Sequence, residues 1–230
     1  MFLDFLFPRR CLGCGKVGSY FCSDCLNLVL LKDEQICPLC EKGTFGGLTH
    51  PGCRRPFGLD GLTSIFAYKG MIARAIKKLK YKFVRDLAEE VVELFLSFCG
   101  EEKLFSDFCR LPNVVLVPIP LHPRRLRWRG FNQAELLGEL IAKNLGIKFT
   151  PDLLIRVKNT EPQVKLDKDQ RQINIRRAFA LNKNSQFDNL EICNFVLFDD
   201  VWTTGATLKE AGKVLKRNGA KKVWGLTIAR

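Results

Sequence analysis

The sequence predicts an α/β protein with a doubly wound parallel sheet and a small N-terminal metal-binding module. From about residue 59 onward, short β-branched or aromatic runs alternate with segments of helical period, which is typical of a parallel sheet between helices. Before that point cysteines are concentrated, since seven of the ten lie before residue 54. We therefore expect a zinc-binding module over residues 1–58 and a sheet domain over residues 59–230.

The N-terminal segment contains four pairs of metal-ligand residues, each pair separated by two positions. They are Cys11 and Cys14, Cys22 and Cys25, Cys37 and Cys40, and His50 and Cys53. Two ligands at this spacing can bind one ion from a tight turn, and two such pairs complete a tetrahedral zinc site. We expect two structural Zn²⁺ ions in a double zinc ribbon, and both a sequential and a cross-braced pairing fit the spacing.

A disulfide framework is the alternative use of these cysteines. The N-terminal stretch MFLDFLFPRR lacks a basic leader and a small-residue cleavage site, so we expect no signal peptide and a reducing, cytoplasmic location. No apolar run approaches the roughly 20 residues that a transmembrane helix needs, although peripheral association with a membrane is compatible with the sequence. Cys99, Cys109 and Cys193 are scattered and are expected to be buried, inert thiols.

The sheet domain shows strands and helices in alternation. Runs typical of strands occur at 62–68, 114–120, 194–200 and 223–229. Segments with an apolar stripe of helical period occur at 70–80, 86–98, 133–145 and 207–218. Residues 156–177 are polar and have no convincing period, and we expect a mobile loop there.

Two adjacent acids end the strand at 194–200, and a turn of small residues follows them. In open parallel sheets, ligands bind beyond the carboxyl ends of the strands. Asp199 and Asp200 could accept hydrogen bonds from vicinal sugar hydroxyls. The turn of Thr203, Thr204, Gly205, Ala206 and Thr207 could bind a phosphate through backbone N–H groups at a helix N-terminus. A simple capped helix start, with Asp200 as a surface acid, is the alternative.

An arginine-rich segment follows the strand at 114–120. It contains Arg124, Arg125, Arg127 and Arg129, with Trp128 and Phe131 among them. Guanidinium groups bind phosphate oxygens bidentately, and aromatic rings between arginines also suit stacking on nucleobases. We therefore expect this loop to contact pyrophosphate or nucleic acid, with a solvated basic loop as the alternative.

The positive charge is concentrated in the sheet domain. Residues 1–58 contain 7 Lys/Arg and 5 Asp/Glu, whereas the remaining residues contain 30 and 19, a net charge of +11. This excess favours phosphate-bearing ligands, either small molecules or nucleic acid.

These motifs resemble those of a known family. VLFDDVWTTGAT at 196–207 resembles the phosphoribosyl pyrophosphate (PRPP) signature of type I phosphoribosyltransferases. The wider pattern resembles the ComF family of bacterial competence proteins, and the likeness extends over nearly the whole chain. It includes the zinc-binding N-terminus, VPIPLHPRRLRWRGFNQAELL at 117–137, Thr160, Gln163, Leu166, Arg171, Asn174, Ala178 and Phe179, and the ending LTIAR.

The resemblance implies a phosphoribosyltransferase fold and a role in moving single-stranded DNA into the cell. Asp199 and Asp200 would bind the ribose hydroxyls of PRPP and act in catalysis, and the turn 203–207 would bind its 5′-phosphate. The arginine loop would bind pyrophosphate with Mg²⁺, and residues 156–173 would close over the site. His50 stands where the family pattern leads us to expect a cysteine, but it is also a zinc ligand.

One departure bears on the acceptor. In 6-oxopurine phosphoribosyltransferases the position of Thr203 is an Asp that acts as a base, so a purine-salvage reaction is disfavoured. We expect a PRPP-dependent transferase of unknown acceptor acting in DNA uptake. The alternative is a non-enzymatic adaptor that keeps the fold and binds single-stranded DNA or a DNA-uptake helicase.

Overall fold

The computed structural model describes residues 8–81, 84–160, 168–185, 187 and 189–230. Its strands are β1 Gly61–Phe66, β2 Val114–Pro118, β3 Lys148–Phe149, β4 Leu154–Arg156, β5 Phe179–Leu181, β6 Asn194–Val201 and β7 Lys222–Ala229. Its α-helices are α1 Ser23–Leu26, α2 Gly70–Tyr81, α3 Arg85–Cys99, α4 Lys103–Cys109, α5 Pro123–Arg129, α6 Gln133–Leu145, α7 Lys168–Ile175 and α8 Ala206–Arg217. Among these helices, none is both long and apolar enough to span a bilayer.

The central sheet has five strands in the order β1-β7-β6-β2-β3, and every neighbouring pair is parallel. Its middle strands are apolar on both faces. In β6, for example, Phe195 and Leu197 pack into one core cluster, whereas Val196 and Phe198 pack into the other. Helices α2, α3, α4 and α6 cover one face, and α7, α8 and the antiparallel β4–β5 ribbon cover the other. The predicted α/β fold with a parallel sheet between helices is therefore confirmed.

The sheet changes winding direction between β2 and β6. The chain leaves β2 toward β3 at one edge, whereas it leaves β6 toward β7 on the other side. The carboxyl ends of β2 and β6 consequently border a crevice, which is where parallel sheets of this kind bind their ligands.

The cysteine-rich segment packs against the edge strand of the sheet. Leu31 pairs with Phe66 and Leu48 pairs with Gly61 in isolated antiparallel bridges. On the neighbouring helical layer, Tyr20 and Phe21 share an apolar cluster with Met71. The segment therefore covers an otherwise open edge, and the boundary at residue 58 stays a prediction.

Three sequence expectations need correction, beginning with the arginine-rich loop. Residues 123–129 form helix α5, because Pro123 occupies its first turn, the His122 side chain accepts the Arg124 N–H at 3.2 Å, and Gly130 ends it at φ 82°. These are ordinary helix start and stop signals. The sequence predicts a loop here because the arginines and aromatic residues of this stretch show no apolar stripe.

The second correction concerns residues 156–177, expected to form a mobile loop. Arg156 ends strand β4, and helix α7 occupies 168–175 with Ile175 as its buried anchor. Among the helix side chains that the structure describes, only Ile175 is buried, so these residues show no repeating apolar pattern. Residues 161–167, which include Gln163 and Leu166, lie outside the described residues, as does the N-terminal 1–7.

The third correction concerns the scattered thiols. Cys99 and Cys193 are buried as expected, whereas Cys109 is only partly buried. Burial raises the pKa of Cys99, of Cys193 and of Cys109, the last to about 12, so all three thiols are protonated at neutral pH.

Candidate functional site

The eight predicted metal ligands come together in two groups that follow the order of the chain. Cys11, Cys14, Cys22 and Cys25 form the first cluster, and Cys37, Cys40, His50 and Cys53 form the second. Within each cluster the ligand atoms lie within 4.8 Å of one another. The structure therefore has the sequential arrangement, and each cluster could hold a metal ion such as zinc.

The donor chemistry of the clusters suits a cation. Burial raises the pKa of Cys11, but the backbone N–H groups of Cys22, Cys14 and Gly13 outweigh it and lower the pKa to about 6. A hydrogen bond with Cys22 and burial raise the pKa of Cys25 to about 12. The fold itself thus favours the thiolate of Cys11, whereas the thiolate of Cys25 needs a positive ion beside it.

His50 is held in the tautomer that a metal ligand requires. Its Nδ1 lies 3.3 Å from the Cys40 Sγ, and its Nε2 lies 3.1 Å from the Gly43 carbonyl oxygen. Since that carbonyl can only accept, Nε2 carries the proton and Nδ1 offers its lone pair to the cluster. Such an outer hydrogen bond is typical of histidines that bind metal ions.

A cleft of about 710 Å³ lies beyond the carboxyl ends of β2 and β6. Both acids of the predicted pair line it, as do Thr203, Gly205 and Thr207 of the predicted phosphate turn. Among the residues that the structure describes, five cations also line it, namely Lys77, Lys80, Arg125, Arg129 and Arg156. Five positive groups against two carboxylates make the cleft suitable for a highly anionic ligand.

Asp200 is buried and engaged by side chains from two helices. Lys80 of α2 approaches its Oδ2 at 2.9 Å, and the Gln133 Nε2 of α6 donates to the same oxygen at 3.2 Å. The Arg129 guanidinium in turn donates to the Gln133 Oε1. Although burial opposes it, the charge of Asp200 raises the pKa of Lys80, so this side chain stays an ammonium ion.

Asp199 lies half-buried beside it, and its Oδ1 accepts the backbone N–H of Asp200 at 2.9 Å. Burial and then the charge of Asp200 raise the pKa of Asp199 to about 7, against the opposing effects of Lys80 and Arg156. Because of these surroundings, the Asp199 carboxyl titrates near neutrality.

This raised pKa predicts a pH-dependent stability. The folded state binds the Asp199 proton more tightly than the unfolded chain, so the associated stability is present below about pH 4 and is lost as the pH rises through about 7. We expect Asp199→Asn to raise the free energy of unfolding by about 1–3 kcal/mol at pH 8, and much less at pH 5.

Urea unfolding of the ligand-free protein at both pH values measures this difference. Exposed Asp152→Asn is the control and should behave like the wild type at each pH. If Asp199→Asn raised the free energy of unfolding equally at pH 5 and pH 8, titration of Asp199 would not be the source of the stabilisation.

The phosphate turn is built around Gly205, which has φ 67° and directly precedes α8. An added Cβ at this position would lie 2.1 Å from the ring of buried Trp202. The Thr204 side chain is buried, and its Oγ1 accepts the N–H of Ala206 at 3.4 Å. Thr203 is exposed to the cleft, whereas Ala206 lines a second cavity. The shape of this turn therefore depends both on the backbone conformation of Gly205 and on the packing of the Trp202 ring against it.

Gly205→Ala is expected to destabilise the fold by about 2–4 kcal/mol, because it adds backbone strain and displaces the Trp202 ring. Gly146→Ala is the matched control, since Gly146 has φ 66° and no atom within 4 Å of its added Cβ. That variant should lose only about 1–2 kcal/mol, the backbone cost alone. Thermal unfolding of both measures the difference, and equal losses would contradict the role of Trp202.

The four arginines of α5 separate into two pairs. Arg125 and Arg129 line the cleft, one helical turn apart, whereas Arg124 and Arg127 are exposed and lie outside it. The Arg125 Nη2 donates to the Thr160 carbonyl oxygen at 2.7 Å. The buried Arg129 Nε has no hydrogen-bond partner within the described chain, and burial lowers the pKa of both guanidinium groups. The Arg129 Nε–H is thus a buried donor beside the cleft without a partner in the described chain.

The cleft also contains Gln133 and Arg156, which no sequence pattern marks as ligand contacts, and Lys80. Lys80 belongs to a basic run with Arg74, Lys77, Lys78 and Lys82. This run fits a solvated helix face and a phosphate or nucleic-acid contact equally well. Arg156 lies at the end of β4, where its guanidinium donates to the Thr160 Oγ1 and lies over the ring of Phe179 at 5.5 Å. Burial, followed by the charge of Arg125, lowers the pKa of Arg156 to about 10.

The parallel sheet and its crevice define a doubly wound α/β protein, with two clusters of metal-ligand residues in its N-terminal segment. Over 226 residues the chain is 38% identical to Competence protein F of Haemophilus influenzae, covering 95% of this chain and 84% of that protein. It is 30% identical to Competence protein ComFC of Bacillus subtilis, covering 94% and 86%. It is 31% identical to DNA utilization protein YhgH of Salmonella typhimurium, covering 89% and 88%.

The chain therefore belongs to the ComF family of competence proteins. No protein-family profile matches it.

Proposed function

We propose that this protein binds PRPP and acts as a phosphoribosyltransferase in DNA uptake. The observation that carries the proposal is one cleft lined by Asp199, Asp200, the turn after β6 and the paired Arg125 and Arg129. A sugar with one phosphate and one pyrophosphate requires such a combination of acceptors and cationic donors. The relatives named for competence and DNA utilization support the role in DNA uptake.

The proposed ligand fits each part of the cleft by its chemistry. The 5′-phosphate would accept hydrogen bonds from backbone N–H groups of the turn that opens α8. The ribose hydroxyls would donate to the Asp199 and Asp200 carboxylates, and the pyrophosphate would bind Arg125 and Arg129. Mg²⁺ would neutralise charge on the pyrophosphate, as it does for phosphates with one or two nearby carboxylates.

In the proposed reaction, a lone pair of the acceptor attacks the anomeric carbon of the ribose. The bond from this carbon to the pyrophosphate oxygen breaks, and pyrophosphate leaves with the electron pair. The transition state carries positive, oxocarbenium-like charge on the ribose ring, so the two carboxylates would stabilise it electrostatically. Arg125 and Arg129 would stabilise the negative charge that develops on the leaving group.

Thr203 restricts the acceptor. A threonine hydroxyl is not a base at neutral pH, so this position would not take a proton from a purine ring. We therefore expect an acceptor that can react without deprotonation by residue 203. Within this proposal the protein is cytoplasmic, residues 1–58 form the zinc-binding domain, and residues 59–230 carry the transferase site.

Calorimetric titration of the zinc-loaded protein tests the proposal through the parts of the ligand. With Mg²⁺ present, PRPP should bind more tightly than ribose 5-phosphate or pyrophosphate. Arg129→Met should weaken pyrophosphate binding and spare ribose 5-phosphate, and exposed Arg127→Met on the same helix is the matched control. Absence of PRPP binding by the wild type would rule the proposal out.

A second candidate is a non-enzymatic adaptor that binds single-stranded DNA or a DNA-uptake helicase. Trp128 is 73% exposed and Tyr81 is 69% exposed, although both are large aromatic residues. Their rings meet edge to face at 6.4 Å at the cleft, beside Lys77 and Arg125. Exposed rings among cations are typical of surfaces on which nucleobases stack.

Salt dependence distinguishes this candidate. If DNA binds through phosphate contacts, the logarithm of its binding constant should fall linearly with the logarithm of the salt concentration. Trp128→Ala should then weaken the binding of a single-stranded oligonucleotide by about 1–3 kcal/mol and leave the affinity for PRPP unchanged. Binding that does not weaken as salt is raised would exclude phosphate contacts of this kind.

A further inference from the structure

Lys209 of α8 lies between the second metal cluster and the phosphate turn. Its Nζ donates to the Thr204 carbonyl oxygen at 3.1 Å and lies 3.3 Å from the Glu41 Oε1. Glu41 directly follows the metal-ligand residue Cys40, and Thr204 belongs to the turn. One ammonium group thus contacts two functional segments that are 163 residues apart in sequence.

The Glu41 end of this link belongs to the metal-binding turn itself. Its backbone N–H donates to the Cys37 carbonyl oxygen at 2.9 Å, and its φ is 60°. A non-glycine residue in the left-handed region is uncommon and is held there by its surroundings. The backbone position of Glu41, from which its carboxylate extends to Lys209, is consequently fixed by the geometry of the turn that carries Cys37 and Cys40.

The other end of the link determines the shape of the phosphate turn. The Lys209 Nζ also lies over the ring of Trp202, 5.1 Å from its centroid. That ring fills the space beside Gly205, where a Cβ would lie 2.1 Å from it. Lys209 therefore contacts both the carbonyl of Thr204 and the ring that packs under Gly205.

We propose that Lys209 is a positioning residue that transmits the order of the second metal cluster to the phosphate turn. The cluster fixes Glu41, Glu41 orients the ammonium group, and the ammonium group holds Thr204 and Trp202 in place. Loss of this link should loosen residues 202–207 without removing any group that a phosphate would contact. The inference rests on the proposed function only in taking this turn to be the phosphate site.

The charge pair is shielded enough to have this effect. The Lys209 and Glu41 side chains are only 21% and 28% exposed, so the pair is less screened than a surface ion pair. Lys213, one turn along α8, pairs with Glu210 at 3.3 Å but is 48% exposed. It is a lysine of the same helix that lacks contact with Thr204, which makes it a suitable control.

Hydrogen–deuterium exchange of the zinc-loaded full chain tests the link without any ligand. We expect Lys209→Met to raise exchange of the 202–208 backbone amides about fivefold, as for the loss of one net hydrogen bond. Lys209→Arg should keep most of the protection, and Lys213→Met should keep all of it. Glu41→Gln should raise exchange in the same segment, and adding it to Lys209→Met should change little further.

Metal removal provides an independent arm of the same experiment. Chelation should loosen residues 202–208 in the wild type and add little in Lys209→Met. Unchanged exchange of this segment in Lys209→Met would overturn the inference. So would an equal rise across β2, because a general loss of stability would then explain the result.

Ribose 5-phosphate affinity separates this inference from the proposed function. If the wild type binds this ligand, Lys209→Met should bind it about fivefold more weakly, while Lys213→Met should match the wild type. If the wild type binds neither this ligand nor PRPP, the proposed function fails, but the exchange measurement still decides whether Lys209 links the cluster to the turn.

Discussion

Asp200→Asn is expected to weaken PRPP binding by about 10- to 100-fold, the loss expected for a charge-assisted hydrogen bond in a buried site. The carboxylate of Asp200 is buried, forms an ion pair with Lys80 and accepts a hydrogen bond from Gln133. Its position is therefore fixed before a ligand binds. The amide would keep the size of the side chain but lose the charge. It would also leave the Lys80 ammonium without its partner, 2.9 Å away.

Calorimetry with Mg²⁺ present measures this loss. Exposed Asp152→Asn is the control for the general effect of removing a carboxylate and should bind PRPP as the wild type does. A parallel measurement of unfolding free energy shows whether Asp200→Asn stays folded under the conditions of titration. An Asp200→Asn protein that is folded and binds PRPP with unchanged affinity would show that this carboxylate does not contact the ligand.

Loss of metal ligands is expected to have the largest effect on stability. The apparent binding free energy of a structural zinc ion is about 10–16 kcal/mol at neutral pH, and the described part of the N-terminal segment, from residue 8 onward, contributes few buried apolar residues. Cys37→Ser should therefore lower the metal content from two ions to one and reduce the melting temperature sharply. Cys109→Ala, which removes a thiol outside both clusters, should keep both ions.

A double variant distinguishes the two pairings that the spacing allows. Cys14 and Cys22 lie in one cluster, with their Sγ atoms 3.7 Å apart. Replacing both by serine should consequently remove one ion and leave the other. Under a cross-braced pairing the same two residues would belong to different sites, and the protein would lose both ions. Native mass spectrometry counts the ions directly.

The sequence predicted the parts of the fold that repeat a pattern. Strands β2, β6 and β7 have five, eight and eight residues and are apolar on both faces, so their runs stand out in the sequence. Strand β6 and the turn after it form one local motif. Strand β3 has two residues and the β4–β5 ribbon has three in each strand. Elements of that length contain too few residues to show a period of two, and only tertiary packing reveals them.

The residues of the candidate site also differ in whether a local sequence pattern could predict them. Asp199, Asp200 and the turn are neighbours in sequence, and their arrangement follows from a strand that ends at a helix N-terminus. Lys80 and Gln133 reach Asp200 from helices 120 and 67 residues away, and no local pattern announces such contacts. The selection of Arg125 and Arg129 over Arg124 and Arg127 required the helical geometry of α5, which its proline, histidine and glycine signals could have indicated.

A structure of the zinc-loaded protein with PRPP and Mg²⁺ tests the central claim most directly. We predict the 5′-phosphate at the backbone N–H groups of residues 203–207, the ribose hydroxyls at Asp199 and Asp200, and the pyrophosphate at Arg125 and Arg129. PRPP bound elsewhere, or a cleft without PRPP at saturating concentration, would contradict the claim that these residues form a PRPP site.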